Sequence, residues 1–104
     1  MDAWQRIEEA ELKVAGVTAG TGFGRSVGLR ISGKIFALLT ADGRLVVKLP
    51  SDRVEALVES GAGERWGPGH GRVMREWVAV PPPAEESWSG LVEEARAYVG
   101  STAR

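Results

Sequence analysis

Residues 26–50 read SVGLRISGKIFALLTADGRLVVKLP, and their apolar residues follow the periodicity of β-strands. Apolar residues alternate with polar or small ones at the start of this stretch and again over residues 44–49, as in half-buried strands. The run 34–40 is more continuously apolar, which suits a central strand covered on both faces. Ser32–Gly33 and Asp42–Gly43 are typical of tight turns between antiparallel strands. The stretch therefore predicts a three-stranded antiparallel meander.

Three segments outside the meander have helical periodicity. In residues 2–15 the apolar side chains recur on one helical face. A second helix begins at Ser51 or Asp52, which are good capping residues, and Gly61 stops it. A third amphipathic helix is predicted over residues 85–99.

The remaining segments complete the predicted architecture. Glycines are concentrated in residues 16–24 and 61–71, which predicts two long loops. Residues 72–80 are typical of a fourth strand, and Pro81–Pro83 of a rigid connector. We therefore predict a single α+β domain over residues 1–104. It has an antiparallel sheet, made of the meander plus a fourth strand, with three helices packed on it in the order α-β-β-β-α-β-α.

The composition excludes several classes of site. The chain has 104 residues, with 13 Lys and Arg, 14 Asp and Glu, one His and no Cys, and a formal charge of −1. The lack of cysteine excludes disulfides, cysteine–zinc sites, cysteine nucleophiles and iron–sulfur clusters. No apolar run approaches the roughly 20 residues that span a bilayer. The first residues lack the pattern of a secretory signal, so we expect a cytoplasmic protein with no membrane partner.

The candidate catalytic motifs are weak. Residues 19–26 (AGTGFGRS) resemble a phosphate-binding loop, but such a loop opens a helix and this one precedes a strand. His70 is the only histidine, and one histidine is a poor start for a metal site or a nucleophile–base pair. Adjacent glutamates on a helix point in different directions and do not converge. These pairs are Glu8–Glu9, Glu85–Glu86 and Glu93–Glu94. We expect a non-enzymatic protein without catalytic residues, metal or cofactor.

The four tryptophans fall into two groups. Trp4 and Trp88 lie at or beside the apolar faces of predicted helices, and Trp77 lies in a predicted strand, so we expect all three in the core. Trp66 and His70 lie together in the second glycine-rich segment. An aromatic residue in a loop is the better candidate for a ligand contact, so both are candidate ligand residues.

Charge is distributed unevenly along the chain. Residues 25–53 contain six basic and two acidic side chains, a net charge of +4. The segments 1–24 and 54–104 have net charges of −2 and −3. The meander is therefore basic, and the segments that contain the helices are acidic.

Three of the basic residues are out of phase with the apolar positions of their strands. Arg30, Arg44 and Lys48 are therefore expected to share the solvent-facing side of the sheet. This surface is either an ordinary solvated sheet face or a binding surface for phosphate groups. In the second case Arg25, Arg72 and Arg75 would be outer contacts.

Three stretches carry a family resemblance. They are GKIFA at residues 33–37, DGRLVVKLP at 42–50 and GHGRVMREWV at 69–78. Over roughly residues 16–99 the chain resembles the MmcQ/YjbR-like family and is similar to the N-terminal domain of the TfoX/Sxy competence regulators. The resemblance implies a compact α+β, double-wing-like domain that is similar to DNA-binding modules. It implies no catalytic residues and no cofactor.

Three hypotheses of function follow. The first is a non-enzymatic cytoplasmic binding domain that binds nucleic acid through its basic sheet face. The second is a protein-interaction or homo-oligomeric module, which would use the apolar helix faces and the Pro81–Pro83 connector. The third is a small-ligand pocket between the two glycine-rich segments, formed by Arg25, Trp66 and His70.

Overall fold

The computed structural model describes residues 3–21, 27–40, 43–69, 72–80 and 87–102. Its helices are α1 (Ala3–Leu12), α2 (Ser51–Glu59) and α3 (Trp88–Thr102). Its strands are β1 (Val17–Thr21), β2 (Val27–Ile31), β3 (Lys34–Leu39), β4 (Leu45–Lys48), β5 (Glu64–Gly69) and β6 (Arg72–Val80). The strands form one antiparallel sheet in the order β1-β2-β3-β4-β6-β5. The predicted class, an α+β fold with three helices packed on an antiparallel sheet, is confirmed.

Two segments that were predicted as loops contain edge strands. β1 lies within residues 16–24 and β5 lies within residues 61–71, so the sheet has six strands where four were expected. Among the described strands β1 pairs with β2 and β5 with β6, so both lie at edges of the sheet. Glycine, and Pro68 in β5, weaken strand propensity but are tolerated at a sheet edge. Pairing with a neighbouring strand therefore overrides local propensities that favour a loop.

The first face of the sheet lies under all three helices. Leu29, Val47 and Val78 project from β2, β4 and β6 into this main core and are fully buried. Burying a large apolar side chain contributes about 1.5–3 kcal/mol, so this core is the main source of stability. The helices contribute Ala3, Trp4, Ile7, Val54, Leu57, Trp88, Leu91, Val92, Ala95 and Val99. Trp4 and Trp88 are thus in the core, as predicted.

The opposite side, here called the second face, has a smaller apolar cluster. Its buried members are Leu38, Val46, Trp77 and Ala79, and the partly buried Ile35 and Trp66 pack against them. The central strand β3 therefore has buried apolar side chains on both faces, as its continuous apolar run predicted. Trp77 is in a core as expected, although in this smaller one.

A β-bulge sets the alternation of β3. Leu29 pairs with Ala37, but its neighbour Arg30 pairs with Ile35, so Phe36 is an extra residue. A bulge of this kind turns two successive side chains towards the same side of a sheet. Phe36 and Ala37 accordingly both lie in the main core. The bulge leaves Ile35 on the second face, beside Arg30.

Ion pairs connect the helices. Nη1 of Arg96 in α3 donates to both carboxylate oxygens of Glu11 in α1, at 2.7 Å each. Glu11 is only 4% exposed, so this pair stabilises the contact between the two helices through charge-assisted hydrogen bonds in a region of low water access. Arg53 of α2 and Glu94 of α3 also pair at 2.8 Å, but both side chains are about two-fifths exposed, so this pair contributes little.

Gly63 allows β5 to approach β6. A Cβ atom at this position would lie 2.6 Å from Cγ2 of Val78, which is buried in the main core. Gly63→Ala is therefore expected to lower the free energy of unfolding by about 1–3 kcal/mol, because the core must shift to admit a methyl group.

The matched control for this substitution is Gly90→Ala. Gly90 is in α3, and nothing lies within 4 Å of the corresponding Cβ position. Alanine is the better helix former, so this variant is expected to gain up to about 1 kcal/mol. Urea unfolding measures both changes, and an equal loss of stability in the two variants would contradict the proposed role of the close contact.

Candidate nucleic-acid interface

The strand registers place the predicted basic residues. Arg30 lies between Leu29 and Ile31, whose side chains pack in or against the main core, so alternation directs Arg30 to the second face. Lys48 follows the buried Val47 in the same way, on β4. Arg44 precedes β4 by one residue and is in step with Val46, a member of the second-face cluster. All three residues therefore belong to the second face.

Arg30 extends towards the edge of the sheet. It pairs across the sheet with Thr18 of β1. A Cβ built at Gly20, also on β1, would lie 3.7 Å from Nε of Arg30. Its Nη1 donates a long hydrogen bond of 3.4 Å to the Gly33 carbonyl. The guanidinium group of Arg30 therefore lies beside Gly20 of the edge strand.

The three cations do not form one cluster. Arg30 pairs with Ile35, and Lys48 lies two strands away at nearly the same level, because Val47 pairs with Ala37. With strands about 4.8 Å apart, their backbones are roughly 10 Å from each other. Arg44 is at the other end of the sheet, roughly 13 Å from Lys48 along the chain, where its N–H donates to Oγ1 of Thr40 at 2.9 Å. The shared face is therefore divided into an Arg30–Lys48 end and an Arg44 end.

Lys48 has two neighbours on β6. Its Nζ is 5.9 Å from the centroid of the Trp77 ring, within the range of a cation–π interaction. It is also 3.8 Å from Oε1 of Glu76. Both charged side chains are about one-third to two-fifths exposed, so this ion pair is weak and leaves Lys48 accessible to a second anion.

Glu76 connects the sheet with α3. Its Oε2 accepts a hydrogen bond of 2.8 Å from the hydroxyl of Tyr98, and its carbonyl accepts one of 2.8 Å from the N–H of Leu49. The sequence patterns indicated neither Glu76 as a neighbour of Lys48 nor Tyr98 as a partner of Glu76. No local pattern could have identified them, because the contacts depend on the β4–β6 pairing and on the position of α3.

Trp66 is on a strand, and its prediction as a loop residue was wrong. It pairs with Met74 of β6 and packs against the ring of Trp77, with the centroids 6.0 Å apart and the planes inclined at 58°. Trp77 is 5% exposed, whereas Trp66 is half-buried. Trp66 therefore lies at the border of the second-face cluster, with part of its ring facing outwards.

The described part of the structure does not include the side chains of four further predicted site residues. Arg25 and His70 lie outside the described residues. Arg72 and Arg75 are on β6, but their side chains are outside the described part of the structure. Of the predicted pocket formed by Arg25, Trp66 and His70, only Trp66 is described. Their proposed roles stay predictions.

The helical layer is mostly acidic in its charged residues, whereas the second face carries Arg30, Arg44 and Lys48 together with a carboxylate, Glu64, which pairs with Ala79. The three helices carry eight acidic residues and only three basic ones, Arg6, Arg53 and Arg96. Two of these arginines are paired with glutamates. Within the described ranges, no group of three His, Asp or Glu side chains is arranged to hold a metal ion. No described helix is long and apolar enough to span a bilayer.

The pKa of Tyr98 is raised above its usual value of 10.0. The main cause is its hydrogen bond to Glu76, followed by burial and by the negative charges of Glu76 and Asp52. The protonated phenol therefore stabilises the fold at all pH values below the unfolded pKa. This contribution is lost as the pH rises through the higher pKa of the folded state.

We expect the free energy of unfolding to fall above pH 10.0, partly because Tyr98 ionises. Tyr98→Phe should remove this part of the decrease, since phenylalanine does not titrate. Urea unfolding of both proteins across this pH range isolates the effect of Tyr98 from that of lysine deprotonation. Tyr98 is the only tyrosine, so phenolate absorbance reports its pKa directly. A folded-state pKa at or below 10.0 would contradict the role of the Glu76 hydrogen bond.

Comparison with known proteins identified no relative of this chain. No family model, curated protein or solved structure matches the chain. The resemblance to the MmcQ/YjbR-like family therefore rests on the sequence motifs alone.

Proposed function

We propose that this chain is a non-enzymatic cytoplasmic domain that binds nucleic acid through the second face of its sheet. The observation that carries the proposal is the separation of charge between the two layers. Arg30, Arg44 and Lys48 belong to the side that the helices leave uncovered, whereas the helices carry a large acidic excess. Phosphate groups would be attracted to the sheet side and repelled from the helix side.

The geometry supports contacts with a phosphate backbone more than recognition of a single small anion. The backbones of Arg30 and Lys48 are roughly 10 Å apart, and Arg44 is further along the strands, so their long side chains reach separate points of an extended ligand. Such contacts fix the position of a nucleic acid but carry no sequence information. Arg25, Arg72 and Arg75 remain proposed outer contacts.

The alternative of a protein-interaction module has less support. The apolar helix faces that were candidates for a partner are buried in the main core. Among the described residues, Leu12 is the only large apolar side chain that is exposed. The Pro81–Pro83 connector lies outside the described residues. No observation on the described part of the chain favours this function or the small-ligand pocket.

The proposal is tested by fluorescence anisotropy with labelled DNA over a range of salt concentrations. Arg30→Gln should weaken binding on the order of fivefold, which corresponds to about 1 kcal/mol. It should also reduce the magnitude of the slope of log K against log salt by about 1, as expected for the loss of one phosphate contact.

The matched control is Arg6→Gln, which removes the same charge from an exposed position on α1. Its affinity and salt slope should equal those of the unmodified protein. Equal losses in the two variants would show that only net charge matters. A lack of binding at low salt would refute the proposal.

A further inference from the structure

Trp66 has surroundings suited to stacking. It is the half-buried aromatic side chain of the second face, and the buried Trp77 supports one part of its ring at a centroid distance of 6.0 Å. The amine of Lys48 lies on the other ring of this pair, 5.9 Å from the Trp77 centroid. A partly exposed indole, the buried ring that it packs against and a cation are therefore neighbours on the second face.

This arrangement of an indole beside a cation suits the base and the phosphate of an unpaired nucleotide. An indole face stacks on a nucleobase, and a neighbouring cation attracts the phosphate attached to it. In a duplex the base faces are already stacked on one another, so Trp66 could reach them only after a base step had opened. A single strand presents its bases without that cost.

We propose that Trp66 stacks on a base of a single-stranded nucleic acid whose phosphates lie beside Lys48 and Arg30. This inference rests on the proposed function and specifies the form of the nucleic acid. The helical layer supports the choice of a single strand. The three helices are packed on the first face and most of their charged residues are acidic, so none of them is placed on the basic side to enter a major groove.

The experiment compares an oligothymidylate of about 12 nucleotides with a duplex of the same length, using the full chain. Two variants separate stacking from packing. Trp66→Phe keeps an aromatic face, and Trp66→Leu keeps apolar bulk without one. The single strand should bind more tightly than the duplex. Trp66→Leu should weaken single-strand binding roughly 5- to 150-fold, whereas Trp66→Phe should keep most of the affinity.

Intrinsic fluorescence gives an independent readout that does not need the leucine variant to fold. Trp4, Trp77 and Trp88 are each at most 5% exposed, so Trp66 is the described tryptophan that a base can reach. Oligothymidylate should quench the fluorescence of the unmodified protein, and Trp66→Phe should remove most of this quenching while binding persists. Binding without quenching in the unmodified protein would overturn the inference.

The outcomes distinguish this inference from the proposed function. A preference for duplex, or equal single-strand binding by the leucine and phenylalanine variants, refutes stacking on Trp66. If Arg30→Gln and Arg6→Gln still differ in that case, binding through the second face stands. If neither form of nucleic acid binds, both proposals fail.

Discussion

Burial of one face of the sheet under three helices is the constraint on which the rest of this structure depends. Successive side chains of a strand point to opposite faces, so placing Leu29 and Val47 in the main core directs Arg30 and Lys48 away from it. A slip of one residue would bury both cations beneath the helices, at a large cost in free energy. The basic character of the second face therefore follows from the packing of the first.

The same constraint separates the charges of the chain into layers. A net charge of −1 suggests little about a ligand, because the basic strands and the acidic helices nearly cancel. In the folded protein they lie on opposite sides of the sheet, so an approaching polyanion meets them separately. Electrostatic attraction depends on this local arrangement, and the total charge conceals it.

Glu76 and Trp77 join the second face to the rest of the fold. Glu76 lies near Lys48 and accepts a hydrogen bond from the hydroxyl of Tyr98 in α3. The adjacent Trp77 packs against Trp66. The position of Lys48 is thus coupled to the docking of α3 through a single carboxylate. Lys48 therefore has neighbours in both layers, whereas the N–H of Arg44 donates to Thr40 near the β3–β4 turn.

Local sequence determined the three helices, the meander and the face on which Arg30, Arg44 and Lys48 lie, because helical and strand periodicities are properties of a few consecutive residues. It did not reveal β1 and β5, which lie in glycine-rich segments and become strands only by pairing with a neighbour. Tertiary structure alone decided that Trp66 packs on Trp77, that Glu76 and Tyr98 meet, and that Arg44 lies apart from Arg30. Each of these features relates residues that are distant along the chain. Their positions depend on strand register and helix docking, which no local pattern encodes.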